Sequence, residues 1–140
     1  MKKRLLLGLV ALGILLGGTS GGAATAATVR LVIAHVAANC HIWRSATKDL
    51  GPSTKIIVRP GSRVVIRADC PMDFDFAQVS GPPLALGDPR TYAGTSRTLV
   101  FRKPGTYRLT ATNVQTPEER GLITLGEPNV LRLTVVVRAS

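Results

Sequence analysis

The chain contains few aromatic, acidic and sulfur-containing residues, and these shortages limit what it can do. It has one Trp, two Tyr and three Phe, together with two Cys and two Met, among 140 residues. Single-stranded nucleic acid is bound by basic grooves with stacking aromatics, whereas the Arg and Lys residues here are spread singly along the chain. Neither "GTS" nor "GPS" lies in the strand-to-helix turn of a nucleophile elbow, and no glycine-rich phosphate loop opens a helix. The sequence therefore predicts neither an enzyme nor a nucleic-acid partner.

The N-terminal segment has the three parts of a secretory signal peptide. Basic residues at 2–4 precede an apolar run at 5–16, and a stretch of small residues at 17–27 ends in "AATAA". The apolar run is about 12 residues long, whereas spanning a bilayer takes roughly 20. We therefore predict cleavage after Ala26 or Ala27 rather than retention as an anchor, with no transmembrane span in the cleaved protein.

These boundaries divide the chain into a signal peptide, 1–27, and a single domain, 28–140. Cleaved or anchored, the domain is expected to be exported to the periplasm, the cell surface or the medium. The signal holds three of the 18 Lys and Arg residues and none of the eight Asp and Glu residues, so the mature net charge is +7. This excess is read first as a solvated, basic sheet face, and it is also compatible with an anionic surface as the partner, such as a cell-surface polymer or lipid headgroups. Another envelope protein is the alternative partner.

The mature chain is predicted to be all-β. Apolar and polar residues alternate with period two between Gly/Pro turns, and no stretch sustains a helical period. Such a pattern predicts a Greek-key β-sandwich or barrel. A break at 115–128 is too long for a tight hairpin, and it is either a binding loop or slack. The predicted strands are 28–36, 55–58, 63–68, 74–79, 97–101, 106–114 and 129–137, with at most a short strand at 84–86.

Two cysteines in an exported chain predict one disulfide, between Cys40 and Cys70. The bridge would close a loop of about 31 residues and contribute on the order of 3–4 kcal/mol by the chain-entropy model. That is a large share of the net stability of a small domain. In this reading His41 is an exposed neighbour of the disulfide.

Three segments of the mature chain resemble secreted cupredoxin-like domains. They are "IIVRPGSRVVIRADC", "LVFRKPGTYRLTATN" and the closing strand "LRLTVVV". More narrowly, "CHIW" together with "GEPNVLRLTVVV" is similar to a group of uncharacterised bacterial exported proteins with a "CHxW" start. The resemblance covers roughly residues 29–138 and implies a cupredoxin-like Greek-key sandwich. An immunoglobulin- or PKD-like sandwich is the runner-up, since "QVSGPPLAL…PGTYRLTATNV" suits that class as well.

The resemblance also bears on copper. A blue-copper site uses two imidazoles and a thiolate, usually with an axial Met. In cupredoxins these ligands follow the second strand of the "PG" pair and the "PGTY" strand, here positions 69–76 and 113–129. The first region contains no His, and the second contains no Cys, His or Met. The sequence therefore predicts that a usual blue-copper site is missing, so no cofactor is favoured and copper is the alternative.

A different metal site forms the alternative to the disulfide. Cu(I) suits thiolate and thioether ligands, and Zn(II) suits thiolate and imidazole. If the ends of two strands meet, the soft ligands would gather at one pole. A disulfide sulfur is a poor ligand, so the disulfide and the metal site exclude each other. The candidate ligands are Cys40, His41, Cys70, Met72 and His35, the last being more simply a core or edge histidine.

The chain's only Trp, Trp43, is predicted to be a core anchor that packs near the disulfide, as an aromatic does in immunoglobulin domains. The alternative is an exposed sugar-binding platform formed with Tyr92. The sequence thus predicts an exported, non-catalytic cupredoxin-like domain with a binding or structural role at or outside the cell envelope. The alternatives are a copper- or metal-binding protein and an immunoglobulin- or PKD-like module that binds glycan or protein.

Overall fold

A computed structural model describes residues 26–36, 41–114 and 130–139. The predicted signal peptide up to residue 25, Cys40 and the break at 115–128 lie outside these residues. Within them all regular structure is β, and no helix is long and apolar enough to cross a membrane. The strands are β1 (Thr28–Ala34), β2 (Ile42–Ser45), β3 (Lys48–Gly51), β4 (Ser53–Val58), β5 (Ser62–Asp69), β6 (Asp73–Ser80), β7 (Arg90–Thr91), β8 (Ser96–Phe101), β9 (Gly105–Val114) and β10 (Val130–Val137).

The ten strands form two five-stranded sheets, which confirms the predicted all-β sandwich. Sheet A has the order β3-β2-β1-β5-β8 and sheet B the order β4-β10-β9-β6-β7. The chain crosses between the sheets after β3, β4, β5, β7 and β8. Two pairs are parallel, β1 with β5 and β4 with β10. These pairs depart from the antiparallel sheets of an immunoglobulin domain, and the two-sheet sandwich agrees with the fold that the cupredoxin resemblance implies.

The core lies between the sheets and follows from the period-two pattern. In β5 the side chains of Val64, Ile66 and Ala68 are buried, whereas the neighbouring Arg63 and Arg67 are exposed. Successive side chains of a strand point to opposite faces, so one apolar face per strand is enough to fill the core. β10 contributes in the same way with Leu131, Leu133, Val135 and Val137.

The strand predictions hold for the apolar segments and fail at the short polar ones. β1 ends at Ala34 rather than at Val36, and the 84–86 segment has no strand. The β2–β3 hairpin and β7 are missing from the prediction. The hairpin turns at Ala46, which adopts a φ of 49° although it is neither Gly nor Asn, so the sequence carries no turn signal there.

The "SGPP" and "PGTY" motifs pack against each other. Gly81 has a φ of +111°, and a Cβ there would lie 2.5 Å from the Thr106 carbonyl oxygen. Gly105 has a φ of +144°, and a Cβ there would lie 2.8 Å from Cγ of Pro82. Only glycine allows both the backbone conformation and the close approach. The two motifs therefore fix where the 81–89 segment meets the start of β9.

Candidate functional site

One end of the sandwich brings together the predicted soft ligands that the structure describes. We call it the loop pole and define it by His35, His41, Cys70 and Met72. The last residues of β1 and β5 are partners in the parallel register, and His35 and Cys70 follow them directly. Met72 immediately precedes β6. Sheet register thus places at one pole the side chains that the sequence separates by up to 37 positions.

His41 is fully buried, so its predicted exposed position beside the disulfide is wrong. Its ring lies edge-on to Phe74, with centroids 5.2 Å apart, and edge-on to His35, with centroids 5.9 Å apart. The burial arises because His41 leads directly into the apolar start of β2. His35 itself is exposed just beyond β1, so of its two predicted positions, in the core or at an edge, the structure agrees with the edge.

Cys70 and Met72 form the sulfur side of the loop pole. Cys70 is half-buried, and this burial raises the pKa of its thiol. Its Sγ lies 3.9 Å from the Met72 carbonyl oxygen. The Met72 thioether accepts a hydrogen bond from Asn113 Nδ2 at 3.1 Å. Sequence reasoning missed Asn113, because only the pairing of β6 with β9 brings it next to Met72.

The predicted disulfide has only one end in the described part of the chain. Cys70 lies at the loop pole, and Cys40 lies outside the described residues. The Cys40–Cys70 bridge therefore stays a prediction.

Among residues 26–36, 41–114 and 130–139, no group of three or more His, Cys, Asp or Glu side chains is arranged to hold a metal ion. The described segment 69–76 offers Cys70 and Met72 but no imidazole to the copper position that the resemblance implies. These residues do not fit a blue-copper centre. A different metal site at the loop pole would need a further ligand, such as Cys40.

Trp43 is fully buried in the core. Its indole Nε1 donates a hydrogen bond to the Arg132 carbonyl oxygen at 3.0 Å, which joins sheet A to sheet B. An exposed sugar platform of Trp43 with Tyr92 is therefore wrong, because only Tyr92 is exposed.

The carboxylates near the loop pole have structural partners. Asp73 accepts the Ala93 N–H at 2.8 Å, and Asp75 accepts two hydrogen bonds from Arg90, at 2.9 and 3.1 Å. The Arg90 guanidinium lowers the pKa of Asp75 below its usual value. Arg97 lies over the Phe76 ring, 4.5 Å from its centroid. These contacts attach the 88–97 segment to β6.

The outer face of sheet B carries a basic patch, which we call the hydroxyl face. The register places Arg108, Thr134 and Lys55 in one row across three strands, and Thr110 and Arg132 in the next. The three cations are exposed, and within the described residues none of them forms an ion pair. A cavity of about 310 Å³ lies here; its lining includes Ser53, Val79, Arg108, Thr110, Arg132 and Thr134.

The end of the sandwich opposite the loop pole carries a second basic surface, which we call the basic pole. It consists of the turns after β4 and β8 and the two ends of the described domain. The turns are tied together by the Gly61 N–H, which donates to the Phe101 carbonyl at 2.7 Å. The described part of this pole contains no carboxylate side chain. Its five exposed cations are Arg59, Arg63, Arg102, Lys103 and Arg138.

Comparison with known proteins finds similarity only among solved structures, since no protein-family model and no curated protein matches the chain. A reduced amicyanin variant is 18% identical, with a TM-score of 0.44 over 79% of this chain and 82% of that chain. A purple cupredoxin from Nitrosopumilus maritimus is 16% identical, with a TM-score of 0.41 over 76% and 98%. A multicopper oxidase from Campylobacter jejuni, a metallo-oxidase, is 15% identical, with a TM-score of 0.45 over 81% and 25%. Likeness this remote assigns no ligand, metal or activity to the chain.

Proposed function

We propose that the protein is an exported, non-catalytic cupredoxin-like module that binds an anionic polymer of the cell envelope through its hydroxyl face. The observation that carries the proposal is the set of three exposed cations, Lys55, Arg108 and Arg132, with no acidic partner among the described residues. Guanidinium groups pair bidentately with phosphate and sulfate oxygens, and the neighbouring Thr hydroxyls add hydrogen bonds.

Two facts support a polymer rather than a small substrate. The cations of the hydroxyl face lie on three neighbouring strands about 4.8 Å apart, and two of them, Arg108 and Arg132, line the cavity. Charges that recur along a polymer can therefore meet cations that recur along the face. The cavity's lining also contains no carboxylate, and Asp75, one register row away on the same face, is paired with Arg90. A binding role therefore accounts for this face better than a catalytic one.

The test compares two charge-matched triple variants of the exported protein. Binding to dextran sulfate and to uncharged dextran of equal length is measured by calorimetry at low and high salt. The pole variant serves as the control because it loses the same three charges elsewhere. The hydroxyl-face variant is Lys55→Gln, Arg108→Gln and Arg132→Gln, and the pole variant is Arg59→Gln, Lys103→Gln and Arg138→Gln.

We expect dextran sulfate to bind and uncharged dextran not to bind, with affinity falling as salt rises. The hydroxyl-face variant should bind about tenfold more weakly, since each exposed ion pair contributes on the order of 0.5 kcal/mol. The pole variant should keep most of the affinity. Equal losses in both variants would show that net charge, not the hydroxyl face, governs binding, and absence of binding would refute the proposal.

Soft-metal binding at the loop pole is the second candidate function. One observation favours it: the His35 and His41 rings lie 5.9 Å apart, at the end of the sandwich where the strands that lead to His35 and Cys70 finish in register. Imidazole, thiolate and thioether together suit Cu(I). Cys40 would complete the ligand set if it remained a thiol.

The metal test begins by counting thiols in the exported protein. Alkylation is done in denaturant, because the raised pKa and half-burial of Cys70 would slow its reaction in the folded state even as a free thiol. No alkylation without reductant identifies the disulfide and removes the metal candidate. Two free thiols followed by stoichiometric Cu(I) binding would support it, provided that Cys40→Ser and the exposed-site variant His35→Ala both weaken binding.

A further inference from the structure

We infer that the basic pole seats the exported domain end-on against anionic lipid headgroups. The inference goes beyond the proposed polymer binding, because it uses different residues and a different partner. Its starting point is the separation of charge along the sandwich. Within the described part of the chain, the five cations of the basic pole have no carboxylate side chain beside them, whereas Asp69 and Asp73 lie at the loop pole. The domain therefore presents one consistently positive end to its surroundings.

The cations of the basic pole are held on a fixed frame. The Arg138 N–H donates to the Val58 carbonyl at 3.0 Å, and the Arg63 N–H donates to the Ala27 carbonyl at 2.9 Å. The backbone that carries these side chains is therefore already ordered before the domain contacts a surface. Less conformational entropy is then lost on binding.

A cavity at this pole has the composition of a headgroup site. It measures about 380 Å³ and is lined by Val29, Ile57, Arg59 and Arg138, among others. Arginine forks suit phosphate oxygens, and Ile57, which is 56% exposed, offers an apolar surface to the glycerol and upper acyl carbons. A lipid with its phosphate between Arg59 and Arg138 would thus contact the guanidinium groups through its phosphate and Ile57 through its apolar part.

The course of the chain favours a membrane over a polymer at this pole. The predicted signal segment, 1–27, ends directly before β1, and its last residues, Ala26 and Ala27, lie beside Gly61 and Arg63 in a cleft of the basic pole. Between the apolar run and Ala26 lie residues 17–25, which extend at most about 30 Å. While the apolar run is in the membrane, the basic pole is the part of the domain closest to the lipid. Anionic headgroups then attract each Lys or Arg near the surface.

The experiment uses the exported protein and the same two triple variants. Its N-terminus is established by mass spectrometry, and the fold of each variant is checked by circular dichroism. Flotation is measured with phosphatidylcholine vesicles that contain or lack phosphatidylglycerol, at low and high salt. Free inorganic phosphate and dextran sulfate are added as competitors, to distinguish the lipid headgroup from the same chemistry in other sources.

We expect flotation only with phosphatidylglycerol and only at low salt. The pole variant should partition about 100-fold more weakly, because three surface cations are lost, and the hydroxyl-face variant should partition like the wild type. If residues 1–25 are retained, both kinds of vesicle will bind. The measurement is then amide hydrogen exchange in the 102–104 turn. This exchange should slow in the presence of anionic vesicles but not in the presence of neutral ones.

Three results would overturn the inference. Equal losses in the two variants would mean that overall charge drives binding. Equal flotation, or equal exchange protection, with neutral and anionic vesicles would mean that headgroup charge has no part. Complete displacement by inorganic phosphate at low concentration would identify a free-anion site instead. Failure of dextran sulfate to bind in the earlier test, with vesicle binding intact, would refute the polymer proposal and leave this one standing.

Discussion

Replacing Trp43 with Phe tests how the two sheets are joined. The change removes the indole N–H that donates to the Arg132 carbonyl and also removes one of the two fused rings from a fully buried site. A hydrogen bond of this kind contributes about 1 kcal/mol. The lost ring atoms and the cavity they leave add about 1–2 kcal/mol, compared with about 3–5 kcal/mol for complete truncation of a core aromatic to Ala. We therefore expect the free energy of unfolding to fall by about 2–3 kcal/mol.

Urea unfolding followed by far-ultraviolet circular dichroism measures this loss, because the variant no longer contains the chain's only Trp. The matched control is Tyr92→Phe, at an aromatic side chain that is 53% exposed; it should change stability by less than about 0.5 kcal/mol. In the wild type, Trp43 fluorescence should be blue-shifted and protected from quenchers. A Trp43→Phe loss as small as the control's, or free access of quencher to Trp43, would refute the reasoning.

Two further substitutions probe individual contacts. Tyr107→Phe removes only the hydroxyl that donates to the Lys103 carbonyl at 2.8 Å; denaturation should show a loss of about 1 kcal/mol, and a loss near zero would mean that water replaces the bond. Asp75→Asn tests the pair with Arg90. Because the pairing lowers the pKa of Asp75, its stabilisation is present above the unfolded pKa of about 3.9 and disappears as pH falls through the folded pKa. The variant should therefore be less stable than the wild type at pH 7, with the difference shrinking in acid; a constant difference would contradict this assignment.

The sequence predicts the apolar strands well because each carries its burial pattern locally. In β5 and β10, alternation alone separates the buried face from the exposed face. The β2–β3 hairpin carries no such signal, since its four-residue strands contain Arg44 and Asp49 and its turn uses Ala46. Such strands form because β1 offers an edge for pairing, and that information lies in the tertiary structure.

The candidate sites, like the strands, were predicted only where the sequence carries a local signal. A meeting of soft ligands at one pole could be predicted from where two strands were expected to end, and His35 and Cys70 do follow the ends of neighbouring strands. The burial of His41 and the contact of Asn113 with Met72 could not, because both depend on packing against β6. The two basic surfaces, the hydroxyl face and the basic pole, were also not predicted from the sequence. Their cations come from separate strands and turns, which only strand register and the chain's reversals bring together.

The position of β10 sets the order in which the domain can fold. Among the described strands, β4 pairs in its sheet only with β10, although 71 residues lie between the end of one strand and the start of the other. Contacts so distant in sequence form late and slowly. Sheet B therefore stays incomplete until Val130–Val137 is available for pairing. The position of β10 also means that losing the last ten residues would deprive β4 and β9 of their shared neighbour, rather than shorten the domain at its edge.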